Sequence, residues 1–421
     1  MLLTEFKLPY GNSFLTASIP TGNLSMTLKR SRTKGLENES KAVLEALRAP
    51  IGCQPLRDCI GENTKAVIIV TDNTRPCPDN RLLPLILSEL EQKLPRQHIT
   101  IIIALGLHPP LTKKELIAKL GENIINNYRV INHDIKQVVK IGTTSRGTPV
   151  EVSRWVLEAD YRISTGFIEP HFFAGFSGGC KSIAPGVSGS VSIHHNHSFS
   201  MLDHTLARAG ILQGNPVHED IVEQAKMAKL NFIVNVLLNE NKEITHVFAG
   251  DPVKSHQIGC EVEKSIAGCK VSHKADITVT TNSGMPLDLD LYQTCKGIDN
   301  ASLITRDGGI IIMASSCRAG VGPEAFQQLH SSSSSPAAVL QKIRKAESKG
   351  VQWQNQLLAR VQINKDVYLV SELDGATVKD MKMMPVRSIE EGLDKAFRAL
   401  GSSSEVMVIP EGPLVLPILE N

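Results

Sequence analysis

The run Ala66-Val67-Ile68-Ile69-Val70 constrains the fold more than any other stretch of this chain. Five apolar residues without polar alternation read as a strand covered on both faces, as in a parallel sheet flanked by helices. The polar loop Thr71-Asp72-Asn73-Thr74-Arg75-Pro76 follows, and residues 81–94 then carry leucines and isoleucines at helical spacing. Pro84 is read as falling in the first turn of that helix, where proline is tolerated. The same order recurs at once: a strand over 98–104, a loop over 105–110 and a helix over 112–125. Thr112 and Glu115 have capping-box spacing at the start of that second helix. Repeated strand–loop–helix units predict an α/β fold. Ligands of such sheets sit outside the carboxyl ends of the strands, so Asp72, Arg75 and His108 are expected on one rim.

Further along, 231–238 reads as a strand and 253–267 as a helix, and the character changes to a short polar connection over 268–274. A second α/β unit follows, with strands over 275–280, 309–314, 367–370 and 406–409 and a helix over 291–305. The expected architecture is two α/β domains with mainly parallel sheets and an interdomain active-site cleft. The N-terminal domain is assigned to 1–270, the C-terminal domain to 271–410, and 411–421 to a tail packing back on the first. Residues 1–60 read as polar and turn-rich, with a short helix over 41–48. Ser331 to Ser335 reads as a flexible surface loop.

A chain of 421 residues suits two domains. A net charge of +2 gives no sign of a nucleic-acid partner. No apolar run reaches the ~18 residues of a membrane span. The first residues, Met1-Leu2-Leu3-Thr4-Glu5-Phe6, lack the basic-then-apolar order of a signal peptide. The eight cysteines are scattered without a Cys-x-x-Cys pair, so reduced thiols and a cytoplasmic location are expected.

The chemistry concentrates in Gly166 to Ser182, where an aromatic cluster, His171, four glycines and Lys181 fall within 17 positions. Glycines let the backbone approach a ligand, and a lysine after such a loop meets an anion or acts as a nucleophilic amine. Ser192-Ile193-His194-His195-Asn196-His197 is the densest histidine group, and imidazole serves as metal ligand or as near-neutral acid and base. Gly175 to Ser182 is not read as a phosphate loop, because Cys180 stands where glycine must precede the lysine. Gly320-Val321-Gly322-Pro323-Glu324-Ala325 has part of a dinucleotide fingerprint but is displaced from its strand, and is read as a loop. Gln293 and Lys296, in Tyr292-Gln293-Thr294-Cys295-Lys296, share one helical face. Trp353 reads as an ordinary core or surface residue.

Together these residues resemble the nickel-dependent lactate racemase family. The match runs in order over nearly the whole chain, through Asp72-Asn73-Thr74-Arg75-Pro76, His108, Gly166 to Ser182, Asn196-His197, Gly214-Asn215-Pro216-Val217-His218-Glu219-Asp220 and Tyr292 to Lys296. The resemblance implies racemisation or epimerisation of a 2-hydroxy acid by transient hydride transfer to a nickel-pincer nucleotide. It implies that Lys181 carries this nucleotide covalently, that His197 is the protein ligand to nickel, and that His108 and His171 are the acid–base pair. Asp72, Asn73, Thr74, Arg75, Gln293 and Lys296 match positions that contact cofactor or substrate. It further implies a small-molecule substrate and cofactor-synthesis proteins for loading. Pro109-Pro110 and Cys180 depart from the family, whose members often carry a basic residue there.

Two other readings stay open at the level of residues. A zinc-dependent hydrolase would use the His194–His197 group and a metal-activated water. A nickel or cofactor carrier would keep Lys181 and His197 and have no need of His108 and His171.

Overall fold

Ala66–Thr71 pairs in parallel with Ile99–Ala104 on one side and Tyr161–Phe167 on the other, inside a six-stranded sheet. Val67 to Val70 are fully buried, as an unbroken apolar run requires. The computed structural model describes residues 2–346, 350 and 352–420, and the chain divides into two units.

The unit containing this sheet takes in Arg32–His197 and His204–Ile266. Its strand order is Ile244–Gly250, Phe232–Leu238, Tyr161–Phe167, Ala66–Thr71, Ile99–Ala104, Arg129–Asn132. Only the Phe232–Leu238 and Ile244–Gly250 pair is antiparallel. The helix after the first strand is Asp79–Leu90, so it starts earlier than its leucine spacing indicated. Pro84 therefore lies inside the helix rather than in its first turn; its missing N–H removes the bond that the Asn80 carbonyl would otherwise accept from that position. The expected helix over 112–125 is two helices, Lys113–Leu120 and Glu122–Asn127. Gly121, at φ +91°, breaks it, while the Thr112–Glu115 capping box forms as expected.

The other unit takes in Met1–Ser31, Ser198–Asp203 and Ala267–Asn421. Its six-stranded sheet is parallel throughout, in the order Met384–Val386, Asp366–Val370, Thr305–Ala314, Ala275–Thr281, Val406–Ile409, Leu24–Thr27. Along Thr305–Ala314, Ile311 and Met313 enter one core while Ile310, Ile312 and Ala314 enter another, so the sheet is covered on both faces.

The first residues depart from the polar, turn-rich reading. Leu3–Tyr10 and Ser13–Pro20 form an antiparallel hairpin whose Phe6, Leu8, Ala17 and Ile19 are buried. Alternation with exposed Thr, Glu, Lys and Ser conceals this face from any average of hydropathy. Residues 1–31 therefore belong with the C-terminal half, because Leu24–Thr27 is the edge strand of its sheet. The tail also stays in that unit: Leu416–Leu419 pairs in parallel with Gly268–Val271. The polar connection over 268–274 thus hides a short strand. The serine run is a turn between two helices, not a loose loop. Ser331 ends Glu324–Ser331, Ser333 is buried, and Ser335 caps Pro336–Lys345 by accepting from Ala338 N–H.

Candidate active site

Three adjacent strands, Tyr161–Phe167, Ala66–Thr71 and Ile99–Ala104, end on one rim and hand the chain to polar loops. His108 and Asp72 meet there, with His108 Nδ1 2.5 Å from Asp72 Oδ2. A carboxylate accepts, so Nδ1 carries the proton and Nε2 presents a lone pair. The other Asp72 oxygen accepts from the Thr74 hydroxyl at 2.7 Å and the Thr74 N–H at 3.2 Å. Burial alone would raise the Asp72 pKa; the bonds from His108 and Thr74 outweigh it and hold the carboxyl below its ordinary value. Asn73 donates to Glu115 at 3.1 Å, and Arg75 is exposed beside Thr74.

Beneath this loop lies a buried ion pair that sequence reasoning missed. Lys119 Nζ is 2.8 Å from Asp79 Oδ2 and donates to the Arg75 and Cys77 carbonyls and to the Thr71 hydroxyl. Asp79 also accepts from Thr165 on the neighbouring strand. The pair thus ties the Asp72–Arg75 loop to two strands. Lys119→Met would leave the Asp79 carboxylate unpaired and is expected to cost about 3–5 kcal/mol, read from denaturant unfolding.

After Tyr161–Phe167, Pro170–His171 pairs with Gly175–Phe176 in a two-residue antiparallel ribbon. Phe173, near its tip, collects three of the residues singled out by sequence. Its ring centroid lies 4.6 Å from that of His171, 5.0 Å from that of His197 and 5.8 Å from Lys181 Nζ. His171 Nδ1 accepts from Ala174 N–H at 3.3 Å, which leaves the proton on Nε2. The Gly214–Asp220 motif frames the group. Asn215 caps the helix Pro216–Met227 and donates to the Phe173 carbonyl at 2.9 Å. Asp220, fully buried, accepts from Asn196 at 2.7 Å and so fixes the residue before His197.

Burial pushes the His197 pKa down to about 3 and the His218 and His256 pKa values down to about 4, with the charge of Lys181 adding to each effect. All three rings are neutral at pH 7, and a neutral imidazole is the form that ligates a metal. In the unfolded chain they titrate near ~6.5. Their stabilisation is therefore complete above that pH and lost as the pH falls toward the folded values. The thermal midpoint of nucleotide-free protein is expected to drop steadily between about pH 6.5 and 4. A flat profile over that range would show that the rings are hydrated.

In the other unit, Asp290 caps the helix Leu291–Ser302 by accepting from Gln293 N–H at 2.7 Å, and Lys296 Nζ donates to Gln293 Oε1 at 2.7 Å. The shared face predicted for Gln293 and Lys296 is thus a direct contact. Trp353 donates to the Tyr292 hydroxyl at 3.0 Å, which ties it to the same helix. Gly320 and Val321 accept from the first N–H groups of that helix, so the fingerprint-like stretch is a packing loop. His195 faces the Thr148 hydroxyl at 2.8 Å. Among the described residues, no three His, Cys, Asp or Glu side chains are placed to hold a metal. Also among them, no helix is long and apolar enough to cross a membrane.

The missed residues left faint marks. Asp79 is an acid at a helix start, an ordinary signal. Asn235 interrupts the apolar run Phe232–Leu238 and is fully buried; a lone amide in a two-face-buried strand is the sharper clue.

Residues 10–210 match the lactate racemase N-terminal domain and residues 271–416 the lactate racemase C-terminal domain. The chain is 37% identical to a lactate racemase of Thermoanaerobacterium thermosaccharolyticum, over 98% of this chain and 99% of the relative. It is likewise 37% identical to one from Lactiplantibacillus plantarum, over 97% and 99%. The lactate racemase apoprotein structure from T. thermosaccharolyticum superimposes with a TM-score of 0.92, covering 99% of this chain and all of that one. A Thermotoga maritima protein at 18% identity and TM-score 0.69 shares the fold. This chain belongs to the lactate racemase family.

Proposed function

We propose that the protein racemises or epimerises a lactate-like 2-hydroxy acid, with a nickel-pincer nucleotide joined to Lys181 and His197 as the protein ligand to nickel. The observation that carries this reading is the convergence on Phe173 of Lys181, His197 and His171. The donor set fits such a group. Without a cage of protein ligands among the described residues, nickel here needs donors brought by the nucleotide, and His197 is neutral and able to complete them. When bound, the nucleotide supplies a hydride acceptor beside a Lewis-acidic nickel.

The protein's own part is proton handling and orientation. His108 presents an Nε2 lone pair, and Asp72 stabilises the imidazolium that results when it takes a hydroxyl proton. His171 presents an Nε2 proton and can return it. A racemase needs one base and one acid, with the roles exchanged for the other enantiomer, and the two tautomers meet that need in one direction. Arg75 and Lys296 are assigned to the substrate carboxylate and to developing charge. Asn73, Thr74 and Gln293 are assigned to contacts with cofactor or substrate. Loading is assigned to proteins that build the nucleotide. A zinc hydrolase would need three convergent ligands, for which the described residues offer no group.

Protein from a host that supplies the nickel nucleotide is expected to show the nucleotide's added mass, nickel near one per chain, and interconversion of enantiomers by chiral chromatography. Zinc in place of nickel, with no added mass, would refute the reading.

A further inference from the structure

The glycines before Lys181 invite the view that they bring backbone to a ligand. The structure gives two of them another use. Gly178 and Gly179 both have positive φ, +77° and +56°. A Cβ at Gly178 would lie 2.6 Å from Asn235 Oδ1, and one at Gly179 would lie 2.5 Å from the His256 ring. Asn235 stands opposite Gly166 in the parallel register of the two strands, and a Cβ there would meet its Nδ2 at 2.9 Å. These glycines make room for two buried side chains of the protein itself.

Those side chains hold the turn that carries Lys181. Asn235 Oδ1 accepts from Gly179 N–H at 2.7 Å, while its Nδ2 has no hydrogen-bond partner among the described residues. The amide thus serves the turn through its oxygen, while a buried donor is left unserved. His256 Nε2 is 2.8 Å from the Ser177 carbonyl, which can only accept, so the ring is the Nε2–H tautomer and donates. Two consecutive links, at Ser177 O and Gly179 N, therefore pin the backbone just ahead of the short helix Gly179–Ser182. The His218 ring stacks over His256 at 6.0 Å and backs it.

We infer that Asn235 and His256 are positioning residues for Lys181: together they fix the turn from which its amine is presented for covalent attachment. This rests on the reading that Lys181 is the attachment point. Asn235 and His256 touch neither cofactor nor substrate in this scheme and act through the Ser177–Gly179 backbone.

The test uses the full chain as Asn235→Ala, His256→Leu and His256→Gln, the last keeping an amide donor near Nε2. In protein without nucleotide, hydrogen exchange of the peptide spanning 178–182 is expected to quicken about tenfold in Asn235→Ala and His256→Leu, with the strand Ala66–Thr71 unchanged. In a host that supplies the nucleotide, the fraction of chains bearing its mass is expected to fall about fivefold or more in these two variants, and His256→Gln to restore it. Folded Asn235→Ala and His256→Leu that load like the parent would overturn the inference. So would failure of His256→Gln to recover either readout. If the parent itself bears no adduct, the attachment reading fails, and the exchange data still decide whether the two side chains hold the turn.

Discussion

Lys181→Ala is expected to abolish covalent retention of the nucleotide and to bring racemisation to background. Alanine has no amine to acylate. The variant should still fold, since a half-buried position outside the core ordinarily costs little on truncation. A second consequence is independent of the cofactor. The charge of Lys181 helps to depress the pKa values of His197, His218 and His256. Removing it lets those values rise toward ordinary, which narrows the gap to the unfolded chain. The acid loss of stability between about pH 6.5 and 4 should therefore become shallower. Intact mass reads the first effect and thermal unfolding across pH the second. An adduct of full occupancy in Lys181→Ala would end the proposed attachment.

His108→Ala and His171→Ala are each expected to lower turnover by about 10²–10⁴-fold, the usual weight of a positioned acid or base. Both should keep nucleotide mass and nickel, because neither residue is assigned to holding them. That separation discriminates an enzyme from a carrier: a carrier would lose nothing with either substitution. Asp72→Asn is the finer probe. Its amide can no longer stabilise an imidazolium at His108, so the loss should fall in kcat rather than in KM. Equal loss of adduct and of turnover in the histidine variants would instead assign these side chains to cofactor binding.

The parallel sheets were legible because a strand buried on both faces writes an unbroken apolar run, as in Ala66 to Val70. The hairpin Leu3–Tyr10 and Ser13–Pro20 was not, since its buried face occupies alternate positions among polar ones. The rim was legible for a related reason: Asp72 and His108 each follow a readable strand, so topology alone brings them to one edge. Phe173 as the common neighbour of Lys181, His171 and His197 could not be read, because its contact with His197 joins segments over twenty residues apart. Asp79 with Lys119 escaped for the same reason, one salt bridge across two strand–helix units.

The path of the chain between the two units has a consequence for synthesis. The backbone crosses four times, after Ser31, His197, Asp203 and Ile266. During translation the strand Leu24–Thr27 emerges long before Val406–Ile409, its partner in the sheet. The strand Leu24–Thr27 must therefore wait without its sheet partner until Val406–Ile409 has been made, and the hairpin's apolar face waits for the first strands of the same sheet. A fragment starting at residue 271 would lack both Leu24–Thr27 and most of the strand that pairs with the tail. Such a piece is expected to aggregate when expressed alone, and co-expression with residues 1–31 is the arrangement that would rescue its solubility.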